Sequence, residues 1–102
     1  MEMALTGDTI TAERAQQHGL VNILCEPGEA INEALSIAER INSNAPLAVR
    51  ATRKAVLEGA MVDDDEGIRI AVELFAPVAK SEDAKEGPLA FVEKRSPEWK
   101  AR

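Results

Sequence analysis

Few side chains in this sequence have the chemistry for catalysis or metal binding. His18 is the only histidine and Cys25 the only cysteine. A zinc site needs several such ligands at close spacing. His18 stands alone, directly before Gly19, and reads as the cation favoured at a helix C-terminus. A thiol nucleophile needs a base and an orienting group. Nothing in sequence signals either beside Cys25, which is expected to be a buried or partly buried inert thiol. The run Asp63-Asp64-Asp65-Glu66 concentrates carboxylates but lacks the alternating spacing and the bidentate Glu of a calcium loop. It reads as a solvated helix start whose charge complements the dipole. Glu86 with Glu93, or Glu93 with Glu13, could be imagined as an acid/base pair, but all three lie in charged stretches expected to be exposed. Proton-transfer carboxylates need surroundings that tune their pKa. There is no Gly-rich phosphate loop and no Gly-x-Ser-x-Gly elbow. Read from its residues alone, this is a helical module without a catalytic constellation.

Composition narrows the class further. The chain has 102 residues, one domain or part of one. Its apolar share is 45%, mostly Ala, Leu, Ile and Val, with Phe75, Phe91 and Trp99 as the only aromatics. A core of small aliphatics favours close helix packing. The net charge is −6, so nucleic-acid binding, which depends on neutralising phosphates, is disfavoured, including through a helix-turn-helix. Two basic clusters (Arg50, Arg53, Lys54 and Lys94, Arg95, Lys100, Arg102) could still meet a small phosphorylated ligand. A single cysteine permits no internal disulfide, which suits a reducing compartment. No apolar run approaches the ~18 residues of a membrane span, and the first residues do not show a signal-peptide pattern. A cytoplasmic protein with no membrane or nucleic-acid partner is expected.

These side chains must be positioned by helices. Residues 1–5 read as a helix end and Thr6-Gly7-Asp8 as a turn. Thr11 can cap a short helix over 12–18 that Gly19 closes. Residues 20–24 form a short strand-like stretch ended by Pro27-Gly28. An amphipathic helix follows over 29–44, with Ile31, Ala34, Leu35, Ala38 and Ile41 at helical spacing. A second runs from Pro46, suited to a first helical position, to Gly59, with Leu47, Ala51, Ala55 and Val56 inward. A third spans 64–79, with Ile68, Val72, Phe75 and Ala79 lining one face and Ile70, Ala71 and Leu74 adding to it. Pro77 should kink this helix or end it just before. Ser81 can cap a final helical segment that Gly87-Pro88 interrupts or kinks.

Two ordered runs carry a family resemblance. Leu5-Thr6-Gly7 is followed by Thr11-Ala12-Glu13-Arg14-Ala15-Gln16-Gln17-His18-Gly19-Leu20-Val21-Asn22. The end of the chain places Ser81, Asp83, Glu86, Gly87, Ala90, Phe91, Glu93, Lys94, Arg95, Pro97 and Trp99 in one fixed order. Together with Ala45-Pro46 and Lys54 they resemble the C-terminal part of the enoyl-CoA hydratase/isomerase (crotonase) superfamily. Each motif alone is weak, and the ordered set covers nearly the whole chain.

The resemblance implies a mainly α segment of a crotonase-type fold, without the spiral of ββα units. Residues 1–24 would end the core and 25–102 would form the C-terminal helical domain. It implies hydration of trans-2-enoyl-CoA thioesters as the family reaction. The backbone oxyanion hole and two glutamates that perform it are expected upstream of this chain, so no catalytic residue is assigned here. By alignment Phe75 and Lys94 would contact coenzyme A, a flat ring against adenine and a point charge against phosphate. Coenzyme A enters as the substrate thioester, with no covalently bound cofactor and no metal. A homo-oligomer, a trimer or hexamer built through the C-terminal helices, is implied. The alternative is a stand-alone helical module that only binds partners or itself.

Overall fold

The computed structural model describes all residues, 1–102. It contains six helices and no strand: α1 (Glu2–Thr6), α2 (Ala12–Gln17), α3 (Ala30–Asn42), α4 (Pro46–Gly59), α5 (Asp64–Val78) and α6 (Asp83–Glu93). The chain divides into two compact units, Met1–Ser36 and Ile37–Arg102.

In the first unit the expected caps form. The Thr11 hydroxyl accepts the Arg14 amide at 3.2 Å, filling one of the donors a helix start leaves open. His18 occupies the C-cap of α2, and Gly19 follows with φ 71, a backbone that L side chains avoid. Residues 20–24 do not form a strand. A strand exists only through pairing, and no neighbouring strand is present to take up its backbone groups. Cys25 is exposed rather than buried. Ala15 is the only buried apolar residue of this unit.

The second unit is organised around α4 packed on α5. Their connection is tight because glycines face each other: a Cβ on Gly67 would lie 3.7 Å from the Gly59 Cα. Asp63 caps α5 by accepting the Glu66 amide at 2.9 Å. The inward stripe of α5 is Gly67, Ile70, Ala71, Leu74 and Val78, which faces Leu47, Ala51, Ala55 and Gly59 of α4. This corrects the expected register. Ile68, Val72 and Phe75 form a second apolar stripe that is left exposed, and Val56 of α4 is likewise exposed. Helical periodicity marks both stripes of α5 equally, and only the partner selects one.

Neither proline breaks its helix where expected. α5 continues past Pro77 to Val78, and the Ala79 amide still reaches the Phe75 carbonyl at 2.9 Å. α6 runs through Gly87-Pro88 to Glu93. Each proline removes a single helical donor. Ser81 caps α6: its hydroxyl accepts the Ala84 amide at 3.1 Å while donating to the Val78 carbonyl at 2.7 Å.

Candidate functional site

The densest polar arrangement joins the first two turns of α6 to the strap of residues 95–102. Asp83 is only 3% exposed, and its carboxylate accepts the Lys100 amide at 2.6 Å and the Ala101 amide at 3.0 Å. A buried carboxylate is tolerable only when such donors satisfy it. One turn on, Glu86 receives the Arg95 guanidinium, with Nη2 donating to Oε2 at 3.0 Å, and the Glu98 amide at 2.7 Å. Gly87 leaves room for the indole of Trp99, whose ring lies 3.4 Å from where a Cβ would stand. The Trp99 Nε1–H then donates to the Ser43 carbonyl at 2.9 Å, tying the strap to the end of α3. A shallow groove of about 360 Å³ beside this latch is lined by Glu82, Lys85, Leu89 and Lys100.

The latch settles the chemistry of Glu86. The Arg95 fork, with the Glu98 amide second, lowers its pKa to about 2. At neutral pH it is a carboxylate with its acceptors occupied, and can neither donate nor take up a proton usefully. Glu86 is also half-buried rather than exposed as the sequence suggests. Glu93 shares the same guanidinium at 2.6 Å, so the imagined pair Glu86 and Glu93 is a structural ion cluster. The Glu13 carboxyl is held below its ordinary range by a backbone hydrogen bond and by Thr11. No group of three or more His, Cys, Asp or Glu side chains is placed to hold a metal.

Lys94 and Phe75 occupy different surroundings. Lys94 ends α6 in the left-handed region, φ 55 and ψ 39, and its side chain is exposed. Phe75 sits on the outer stripe of α5, 38% exposed. α5 and α6 make no extensive contact. Phe91, three residues before Lys94, is 85% exposed. That aromatic was legible only as a motif position, because nothing in sequence distinguishes an exposed Phe from a core one. His18 lines an open groove of about 710 Å³ with Asp8 and Arg14, and no hydrogen bond joins these three side chains. Arg50 and Lys54 flank a small apolar groove between α4 and α5, with Leu47, Leu74 and Pro77.

The family model described as Enoyl-CoA hydratase/isomerase matches residues 1–102. An enoyl-CoA hydratase of Mycobacterium tuberculosis is 39% identical over 101 residues, covering 99% of this chain and 38% of the relative. An (E)-benzylidenesuccinyl-CoA hydratase of Thauera aromatica is 41% identical, covering 98% of this chain and 39% of the relative. The crystal structure of an enoyl-CoA hydratase from Mycobacterium tuberculosis H37Rv superposes with a TM-score of 0.93 at 46% identity, covering all of this chain and 40% of that one. The chain therefore spans about 40% of the length of the relatives it matches.

Proposed function

The chain belongs to the enoyl-CoA hydratase/isomerase family, and on that premise we propose that it is the C-terminal, coenzyme A-side part of an enzyme hydrating trans-2-enoyl-CoA thioesters. The observation that carries this reading is the match along the entire chain, in sequence and in backbone, to enoyl-CoA hydratases more than twice its length. Residues 1–24 belong with the core of such an enzyme and 25–102 form its helical domain. The work of this chain is binding and assembly. Its most strongly perturbed carboxylate, Glu86, is committed to Arg95 and not to proton transfer.

Lys94 supplies a positive point charge to a phosphate of the coenzyme A moiety, and Phe75 a flat apolar face to its adenine. A neighbouring subunit would complete the pocket they line. The exposed stripe Ile68, Val72 and Phe75 provides an apolar surface for such a contact. A trimer or hexamer in the cytoplasm, acting on acyl-CoA with no metal and no covalent cofactor, is the assembly proposed.

Crotonyl-CoA hydration by the purified 102-residue chain, followed at the enoyl thioester absorbance, tests the division of labour. No turnover above background is expected. Turnover would mean that a complete catalytic site lies within these residues and would overturn the reading.

A further inference from the structure

We propose that the corner between α4 and α5 of one copy docks into the groove between the same two helices of a second copy. The proposal deepens, and rests on, the reading of the chain as a subunit of a homo-oligomer. The two helices form an antiparallel hairpin: Gly59 meets Gly67 at its closed end, and Leu47 and Arg50 meet Leu74 and Pro77 at its open end. These ends differ in charge. Residues 58–66, at the closed end, hold the carboxylates Glu58, Asp63, Asp64, Asp65 and Glu66 and no Lys or Arg. Residues 46–54 and 74–80, at the open end, hold Arg50, Arg53, Lys54 and Lys80 and no Asp or Glu. The helix dipole accounts for acids at the start of α5. It does not account for the bases of α4, since it favours them in the last turn, where α4 has none.

Each end also carries apolar surface that its own copy leaves uncovered. At the corner Met61 is 84% exposed, with Leu57 and Val62 exposed beside it in sequence. At the open end lies the groove of about 260 Å³, floored by Leu47, Leu74 and Pro77 and flanked by Arg50 and Lys54. Both of these cations are exposed, as are Asp64 and Asp65 at the corner. Lys54 reaches Glu58 only at 3.7 Å, a surface pair of little worth. The corner cannot fill the groove of its own copy, because about ten residues of helix, roughly 15 Å of axis, separate Arg50 from it. A second copy can lay Met61 on the apolar floor and set Asp64 and Asp65 against Arg50 and Lys54. The apolar contact supplies the association, and the charges fix which ends meet. Such a head-to-tail contact needs no two-fold axis and, repeated, closes a ring.

The test is size-exclusion chromatography with light scattering on the full 102-residue chain, at a concentration where the parent associates. Asp64→Lys with Asp65→Lys reverses the charge of the corner, and Arg50→Glu with Lys54→Glu reverses that of the groove. Each pair of changes should weaken association about tenfold, as two exposed ion pairs become repulsive, and lower the mass. All four changes in one chain restore opposite charges and should return the mass to that of the parent. A chain with all four changes that associates as weakly as either pair overturns the proposal. So does a parent-like mass in either pair, which leaves the assembly reading standing. A monomeric parent overturns the assembly reading and the proposal with it. Met61→Ser decides the case in which the charge-reversed chains lose helicity by circular dichroism. Its mass should fall below that of the parent, and an unchanged mass would sink the proposal.

Discussion

At the scale of single residues, Glu86 and Lys94 show how a motif position acquires meaning from its neighbours. Glu86 titrates far below its ordinary value of 4.5, at about 2, because its charged form receives the Arg95 fork and the Glu98 amide. A depressed folded pKa gives stabilisation that is complete above the unfolded value and lost as pH falls through the folded one. The strap should therefore loosen as pH falls from about 4.5 towards 2. Trp99 is the only tryptophan, so its fluorescence reports the release, and Glu86→Gln should flatten that part of the acid titration. Lys94→Gly should raise the unfolding free energy by about 1 kcal/mol in urea titration, since glycine removes the left-handed penalty. A loss of stability would show that the Lys94 side chain contributes more than its backbone strain costs.

Helix α6 and its strap act as a unit, held by donors and acceptors that lie far apart in the chain. Asp83→Ala should cost about 1–3 kcal/mol, because the amides of Lys100 and Ala101 lose a buried acceptor. Gly87→Ala places a methyl 3.4 Å from the Trp99 ring, an ordinary contact, so its effect should be small. Gly87→Leu has no such room and should expel the indole, seen as a red shift in Trp99 emission. Helix α5 offers a sharper comparison. Leu74→Ala, on the stripe facing α4, should cost about 2 kcal/mol. Val72→Ala, on the exposed stripe, should change stability by less than about 0.5 kcal/mol in the isolated chain. Equal costs would mean that the outer stripe is covered in solution.

For the whole molecule, the solvent-accessible area is the deciding quantity. The chain exposes 8438 Å². Only Ala15, Ala51 and Ala90 are buried apolar residues, while Ile31, Leu35, Ile68, Val72, Leu89, Phe91 and Val92 are exposed. Apolar surfaces left open in this way are the kind that find a partner. The isolated chain should accordingly bind a hydrophobic dye and elute above monomer mass in size-exclusion chromatography. A monodisperse monomer that leaves the dye dark would show that these surfaces need no partner.

The sequence by itself determined the helices, because caps, periodicity and turn residues act within a few positions. Thr11, Gly19, Pro46, Asp63 and Ser81 mark element boundaries through local hydrogen bonds and backbone preference. It also carried the family, through the ordered runs from Leu5 to Asn22 and from Ser81 to Trp99. What those residues do was not legible. The pairings of Glu86 with Arg95 and the strap, of Asp83 with the Lys100 and Ala101 amides, and of Trp99 with Ser43 span 9 to 56 positions. The inward stripe of α5 was not legible either, since both of its stripes satisfy the helical period. Only the tertiary structure decided these points, because a hydrogen bond or an apolar contact is specified by proximity in space, and local pattern does not encode which distant surface arrives.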